Sequence, residues 1–399
     1  MESFEAELAR ATDSDNPDIL AAIGLVINSK GDTLYHHASG RQSLAPDAPP
    51  VDPCSTITLG SAGKFITHIA ALQCVYRGLI TLDEPVYTHL PELEKFDIIS
   101  PNTDPHALTQ SFTLRRPSKQ ITLRHLLTHS SGISYHDHPL VKEWSKSDVA
   151  AAIKPGDEAP LIVKMASMPL LYEPGDGWSY GSSILWTTIL ITRLTQQSMP
   201  QFVQESIFNP LGMTLSSYQP QSRPDVCARL LKMVRREGER LVPVDDIVQD
   251  LTCSVSDIGT ILSDLISPSS KILADRSVEL LFQPQFDSSS PALKDLRGDT
   301  EDYASPAGIP DTMENPPVNY SLVGLLAEGR LPLSYIPPGT VTWNGMPNVM
   351  WAMNKEKGVA MLFATQLLPV DDKRAVDVAM TFMRDAWAKF AQNVCFVTI

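Results

Sequence analysis

Apolar, β-branched runs stand at both ends of this chain, and the stretch between them is helical in pattern. Near the start, "AAIGLVINSKGDTLYHHASG" (21–40) reads as two strands about a Lys30-Gly31-Asp32 turn. Near the end, "YSLVGLLAEGR", "GTVTWNG", "NVMWAMNKEKG" and "VAMLFATQLL" read as four more. Helical patterns flank these runs, over 4–12 and in "DKRAVDVAMTFMRDAWAKFA". Residues 120–240 are mainly helical in pattern. Strand-like segments that far apart bury their faces most economically in one sheet. The expectation is therefore an α+β fold: an antiparallel sheet built from both termini, flanked by helices, with a helical region inserted. The expected domains are 1–80 with 245–399, and 81–244, with the active site between them.

Within the middle, "TLRHLLTHSSG" is expected to start at a Thr122 cap and stop at Gly132. "SSILWTTILITRLTQQ" (182–197) is a strongly apolar helix, and "MPQFVQESIFNPLGM" another ended by Pro210. "SVSDIGTILSDLI" (254–266) is expected to be capped by Ser254 or Ser256. Residues 284–318, rich in Pro, Ser and Asp, read as a long irregular segment over a site or at a mobile edge.

The sharpest local question is "TITLGSAGKFITHIAALQ" (56–73), where a strand-like run turns into an amphipathic helix. Phe65, Ile69, Leu72 and Tyr76 recur at helical spacing, so Ser61 falls at the helix start and Lys64 one turn on. A phosphate loop would need glycine at position 58 and Ser or Thr at 65. The chain has Thr58 and Phe65 there. The remaining chemistry is a serine nucleophile with a neighbouring proton acceptor. Backbone N–H groups at the helix start would favour a developing anion. The bland alternative is a Ser61 cap and a surface Lys64.

Two further stretches carry polar chemistry. In "YEPGDGWSYGSS", Tyr180 lies between a glycine-rich loop and the apolar helix; a tyrosine beside an ammonium can serve as a base. In "TVTWNGMPN" a strand ends in small residues and could offer a backbone N–H to an oxyanion.

Composition narrows the class. The chain has 399 residues and a formal net charge of −14, with no block of five like charges, which disfavours nucleic acid and anionic membranes. No run of 18 apolar residues occurs. The polar, acidic N-terminus does not read as a secretory signal, so a cytoplasmic location is expected. The five cysteines have long, irregular gaps and read as free thiols, and Cys395 stands fifth from the end, wrong for prenylation. His125 and His129 are four apart without an evident third ligand. Neither metal nor cofactor is expected.

Ser-Ala-Gly-Lys after a strand, then "GLITLDEPV", "ITLRHLLTHSSGI", "YEPGDGWSYGSS" and "IFNPLGM", follow one another in order. The series resembles the class C β-lactamase, DD-peptidase and family VIII esterase group over roughly residues 20–395. The tail "WNGMPNVMWAMNKEKGVAMLFATQLLP" looks most like the fungal transesterases that acylate polyketides, the lovastatin-type side-chain acyltransferases. The resemblance implies a β-lactamase/transpeptidase-like fold. It implies Ser61 as the acylated nucleophile, Lys64 as its partner and Tyr180 as the tyrosine of the second motif. The third motif falls on Trp343, Asn344 and Gly345, and the oxyanion hole on the backbone N–H groups of Ser61 and Met346. Ser182 stands where lactamases have asparagine. Trp343 replaces the lactamase lysine that grips the β-lactam carboxylate, which puts penicillin hydrolysis in doubt. Its ring would instead offer an apolar wall beside the acyl group.

The expected function is acyl transfer from a thioester or ester, through acyl-Ser61, to an alcohol acceptor in polyketide biosynthesis. The alternative is a carboxylesterase for hydrophobic esters. A non-catalytic binding protein and a β-lactamase rank lower. The expected partners are a small-molecule donor and acceptor, and an acyl carrier protein could present the donor.

Overall fold

A computed structural model describes residues 1–13, 17–103, 111–153, 155–156, 158–244 and 251–391. Cys395 lies outside them. The chain forms two compact units: 1–66 with 200–283 and 300–399, and 67–199 with 284–299.

The first unit is built on a seven-stranded antiparallel sheet. In spatial order its strands are Val318–Tyr320, Leu325–Ala327, Val341–Gly345, Val349–Asn354, Val359–Ala364, Ala21–Asn28 and Thr33–Gly40. The strand nearest the N-terminus pairs with one near the C-terminus, Ile23 opposite Ala364 and Ile27 opposite Ala360. Ala21–Asn28 is apolar at almost every position because both its faces are covered. On one face lie the helices Glu2–Thr12 and Lys373–Phe390, with Phe4 and Phe382 ring centroids 5.0 Å apart. Gly24 makes room for them: a Cβ there would sit 2.7 Å from the Phe382 ring. On the other face lies Val255–Ile266, whose Gly259 packs against Leu25. Ser254, not Ser256, caps that helix by accepting from the Asp257 N–H.

Several boundaries differ from expectation, each for a local reason. Residues 200–244 fall in the sheet unit because Ser216–Ser217 pairs with Thr252–Ser254, and the hairpin Val234–Glu237/Arg240–Pro243 lies beside Leu367–Leu368. Residues 67–80 fall in the second unit. The run "YSLVGLLAEGR" is not one strand: Tyr320 closes one and Leu325–Ala327 forms the next. The segment 284–318 contains two short helices, Pro291–Gly298 and Ala304–Ala307, the first capped by Ser290. Pro210 does not end its helix. A π turn over Gln204–Phe208 leads into Asn209–Leu211, where proline occupies a first-turn position that needs no N–H. Gly212, at φ +68°, is the stop.

The second unit is mainly helical, with Pro139–Ser145, Asp148–Ile153, Leu161–Ala166 and Ser183–Thr195, and among its described residues Ile98–Pro101 pairs with Phe112–Arg115. The Thr122 cap is present, but its helix spans only Leu123–Leu127. His129 adopts φ +56° and turns the chain out of the helix before Gly132 is reached.

His125 completes that cap: its N–H donates to Thr122 Oγ1, and its ring Nδ1 accepts from the Thr122 N–H at 3.2 Å. Burial above all, helped by the Lys119 and Arg124 cations and opposed by Asp83 and Asp176, pushes His125 down to about 4. The unfolded chain, with an ordinary value of 6.5, therefore binds the extra proton between the two values. Stability present above pH 6.5 is lost as pH falls toward 4, on the order of 2–3 kcal/mol. Glutamine is a normal residue at this position of a capping box and does not titrate. His125→Gln should flatten the acid side of the melting-temperature profile, and a profile as steep as the wild type's would remove His125 as the cause.

Candidate active site

Ser61 lies on a 3-10 turn, Gly60–Gly63, that leads into the helix Lys64–Tyr76. The strand Thr56–Thr58 delivers it, paired with Thr252–Ser254. Gln366 anchors that strand from the end of the large sheet: Thr58 N–H donates to its Oε1 at 3.1 Å, and its Nε2 donates to Thr58 O at 3.0 Å. Beyond the turn, Phe65, Ile69 and Leu72 are buried, whereas Tyr76 is exposed. Lys64 Nζ stands 2.9 Å from Ser61 Oγ. A neutral amine at that distance can take the hydroxyl proton, and an ammonium can steady the alkoxide.

The end of the strand Val341–Gly345 closes on the same turn. A Cβ on Gly345 would lie 2.2 Å from Leu59 O and 2.8 Å from Ala62 N, so the backbones approach as only glycine allows. Gly60, at φ +55°, would place a Cβ 3.3 Å from the Met346 nitrogen. The Met346 amide thus lies against the turn carrying Ser61. Trp351, one strand over, donates its Nε1–H to Ala62 O at 2.9 Å and packs its ring on Phe65. The turn that carries Ser61 is therefore pinned to the sheet by a backbone approach and a side-chain hydrogen bond.

Trp343 shares a strand face with Gly345, two residues away. Its indole is 5% exposed and sits edge-on to Tyr320 at 5.6 Å. Asn344, on the opposite face, donates Nδ2–H to Asp302 O at 3.3 Å. Met346 is 53% exposed. A side chain this buried packs the sheet, whatever part it has as the expected acyl wall. Trp343→Ala should cost about 3–5 kcal/mol of stability, as large aromatic truncations do. Thermal melting and kinetics on the same sample separate the roles: an unchanged melt with weakened donor use would restore the wall.

Tyr180 and Ser182 belong to the second unit. The loop after the Leu123–Leu127 helix and the loop before Ser183–Thr195 are laced together. Gly175 N–H donates to Ser130 O, Ser179 N–H to His129 O, and Ser182 N–H to Ser134 O. Gly181 permits the closest approach, since a Cβ there would meet Ser134 backbone carbons at 2.5 Å. Ser182 is buried at the helix start and makes no side-chain cap. The Tyr180 ring sits 4.7 Å from the His129 ring and 5.7 Å from Tyr135. Among the described residues no group of three or more His, Cys, Asp or Glu could hold a metal ion. No helix among them is long and apolar enough to cross a membrane.

Sequence reasoning did not single out Gln366, Trp351 or Tyr135. Gln366 and Trp351 contact partners 308 and 289 positions away, a separation that no local pattern reports.

A family model described as beta-lactamase matches residues 20–380. The chain is 32% identical to Acyltransferase calJ of Penicillium decumbens, covering 98% of this chain and 99% of that protein. It is 29% identical to lovastatin esterase of Penicillium rubens, over 94% and 96%. It superimposes on unliganded simvastatin synthase (LovD) of Aspergillus terreus with a TM-score of 0.86 and 27% identity, over 98% and 99%.

Proposed function

The chain belongs to the beta-lactamase family and has its transpeptidase-like fold, and from that premise we propose that it is a serine acyltransferase. It moves an acyl group from a thioester or ester through acyl-Ser61 to an alcohol. The observation that carries this reading is the 2.9 Å pairing of Lys64 Nζ with Ser61 Oγ on a turn faced by the Met346 amide.

Ser61 Oγ attacks the donor carbonyl, and its one proton passes by way of Lys64 to Tyr180. The Ser61 and Met346 N–H groups hold the oxyanion. The C–S or C–O bond of the donor breaks, and the leaving thiol or alcohol departs with a proton from Tyr180. An acceptor alcohol then attacks acyl-Ser61 and gives its proton to Tyr180; the acyl–Oγ bond breaks, and that proton returns to Ser61 Oγ, which regenerates the serine. The relatives named acyltransferase and simvastatin synthase support transfer, with a polyketide alcohol as the acceptor class. An acyl carrier protein is the proposed donor carrier. Cys54, Cys74, Cys227 and Cys253 are free thiols, which fits a reducing compartment, and we place the enzyme in the cytoplasm.

Hydrolysis is the second reading, favoured by the relative named lovastatin esterase. Water in place of the acceptor converts one activity into the other. Incubation with a butanoyl thioester, with and without polycyclic alcohols, decides by product: ester formation supports transfer, and free acid at an unchanged rate supports hydrolysis.

Lys64→Ala and Tyr180→Phe should each lower turnover by on the order of 10²-fold or more, since each removes a proton-transfer group. Combined, the losses should fall short of their product, because the groups act as one unit. Near-normal turnover in either variant would mean the site is misplaced.

A further inference from the structure

His129 meets the proposed base with its ring and the loop that carries it with its carbonyl. Its carbonyl accepts from the N–H of Ser179, the residue before Tyr180, at 3.0 Å, and from Tyr172 Oη at 3.1 Å. Its ring lies 4.7 Å from the Tyr180 ring, tilted by 55°. Behind it stands His68, at 6.3 Å. The ring is 1% exposed, so it cannot swing away without opening the packing.

At φ +56° the chain is in the left-handed region, which glycine enters freely and which asparagine, aspartate and histidine adopt more often than other side chains. Asparagine would suit the turn as well, so the turn alone does not call for an imidazole ring. The imidazole packs beside both His68 and Tyr180, tilted to each ring, while Tyr135 meets the tyrosine edge-on.

We propose that His129 is a positioning residue for Tyr180: its carbonyl sets the path of the Tyr180 loop, and its ring holds the phenol in the rotamer that exchanges protons with the nucleophile. This rests on the reading of Tyr180 as the proton acceptor. A phenol that samples other rotamers is absent from the reacting geometry for part of the time. That lowers the chemical step and leaves donor binding little changed.

The test is a double-mutant cycle on p-nitrophenyl butanoate. His129→Asn keeps a residue suited to the left-handed turn and removes the ring. It should lower kcat at least tenfold with KM within threefold of wild type. His129→Phe restores a flat ring and should recover most of kcat. In a Tyr180→Phe background, His129→Asn should cost nothing further, because the group it positions has lost its hydroxyl. Should His129→Asn not melt cooperatively, the same cycle is run with His129→Leu, which fills volume without a flat face. Full activity in the ring-deleted variant, or an equal fractional loss in both backgrounds, overturns the proposal while leaving Tyr180 as the base. A Tyr180→Phe enzyme that turns over normally overturns both.

Discussion

Ser61→Ala should abolish covalent labelling by an acyl thioester and lower turnover by on the order of 10⁴-fold or more, the scale of losing a nucleophile. In the wild-type enzyme, intact-mass measurement should show the gain of one acyl group, and peptide mapping should place it on Ser61. The fold should survive. The lost oxygen is half-buried and accepts from Lys64 at 2.9 Å, so its removal changes stability by about 1 kcal/mol or less. A cooperative melt near the wild-type temperature, together with absent labelling, is the expected pair of results. Labelling that persists in the alanine variant, on another side chain, would defeat the assignment.

Gly345→Ala should be the most disruptive single-methyl change near the site. The added carbon would meet Leu59 O at 2.2 Å, Ala62 N at 2.8 Å and Ala62 Cβ at 3.0 Å. Two of those three are backbone atoms, which have no rotamer by which to yield. Either the strand end or the Gly60–Gly63 turn must move, and both carry a proposed oxyanion N–H. The expected cost is about 3 kcal/mol, the upper end for over-packing, with kcat reduced at least 10²-fold. Gly31→Ala is the control. It too lies in the sheet unit, in the turn between the first two strands at φ +88°, but no atom lies within 4 Å of its would-be Cβ. It should cost only backbone strain and leave kcat alone. Equal kinetic effects of the two changes would show that the close approach at Gly345 is unimportant to catalysis.

The elements most legible in the sequence are those whose reason is local. Ser61 and Lys64 stand three apart on a helix start, and that spacing alone puts hydroxyl and amine within reach. Ala21–Asn28 announces a strand covered on both faces by its unbroken apolar run, and Lys373–Phe390 announces a helix by its period. Ser254 caps its helix as Ser and Thr do wherever the next turn is apolar. The places where the reading slipped are those where a neighbour overrules the local pattern. Pro210 is carried through a helix by a π turn, and His129, not Gly132, makes the left-handed exit. Residues 200–244, helical in much of their pattern, join the sheet unit through strands of two to four residues. Such strands are too short for a period to show.

The sequence by itself determined the kind of fold and the placing of Lys64 beside Ser61, the proposed reacting pair, because periodicity and i, i+3 spacing act within one turn or one strand. Only the tertiary structure decided what surrounds that pair. Gln366 grips Thr58 from 308 positions away, Trp351 grips Ala62 from 289, and Gly345 lies against Leu59. These contacts follow from sheet register and helix packing, which sum weak preferences over the whole chain. A residue's own neighbours in sequence carry no trace of them.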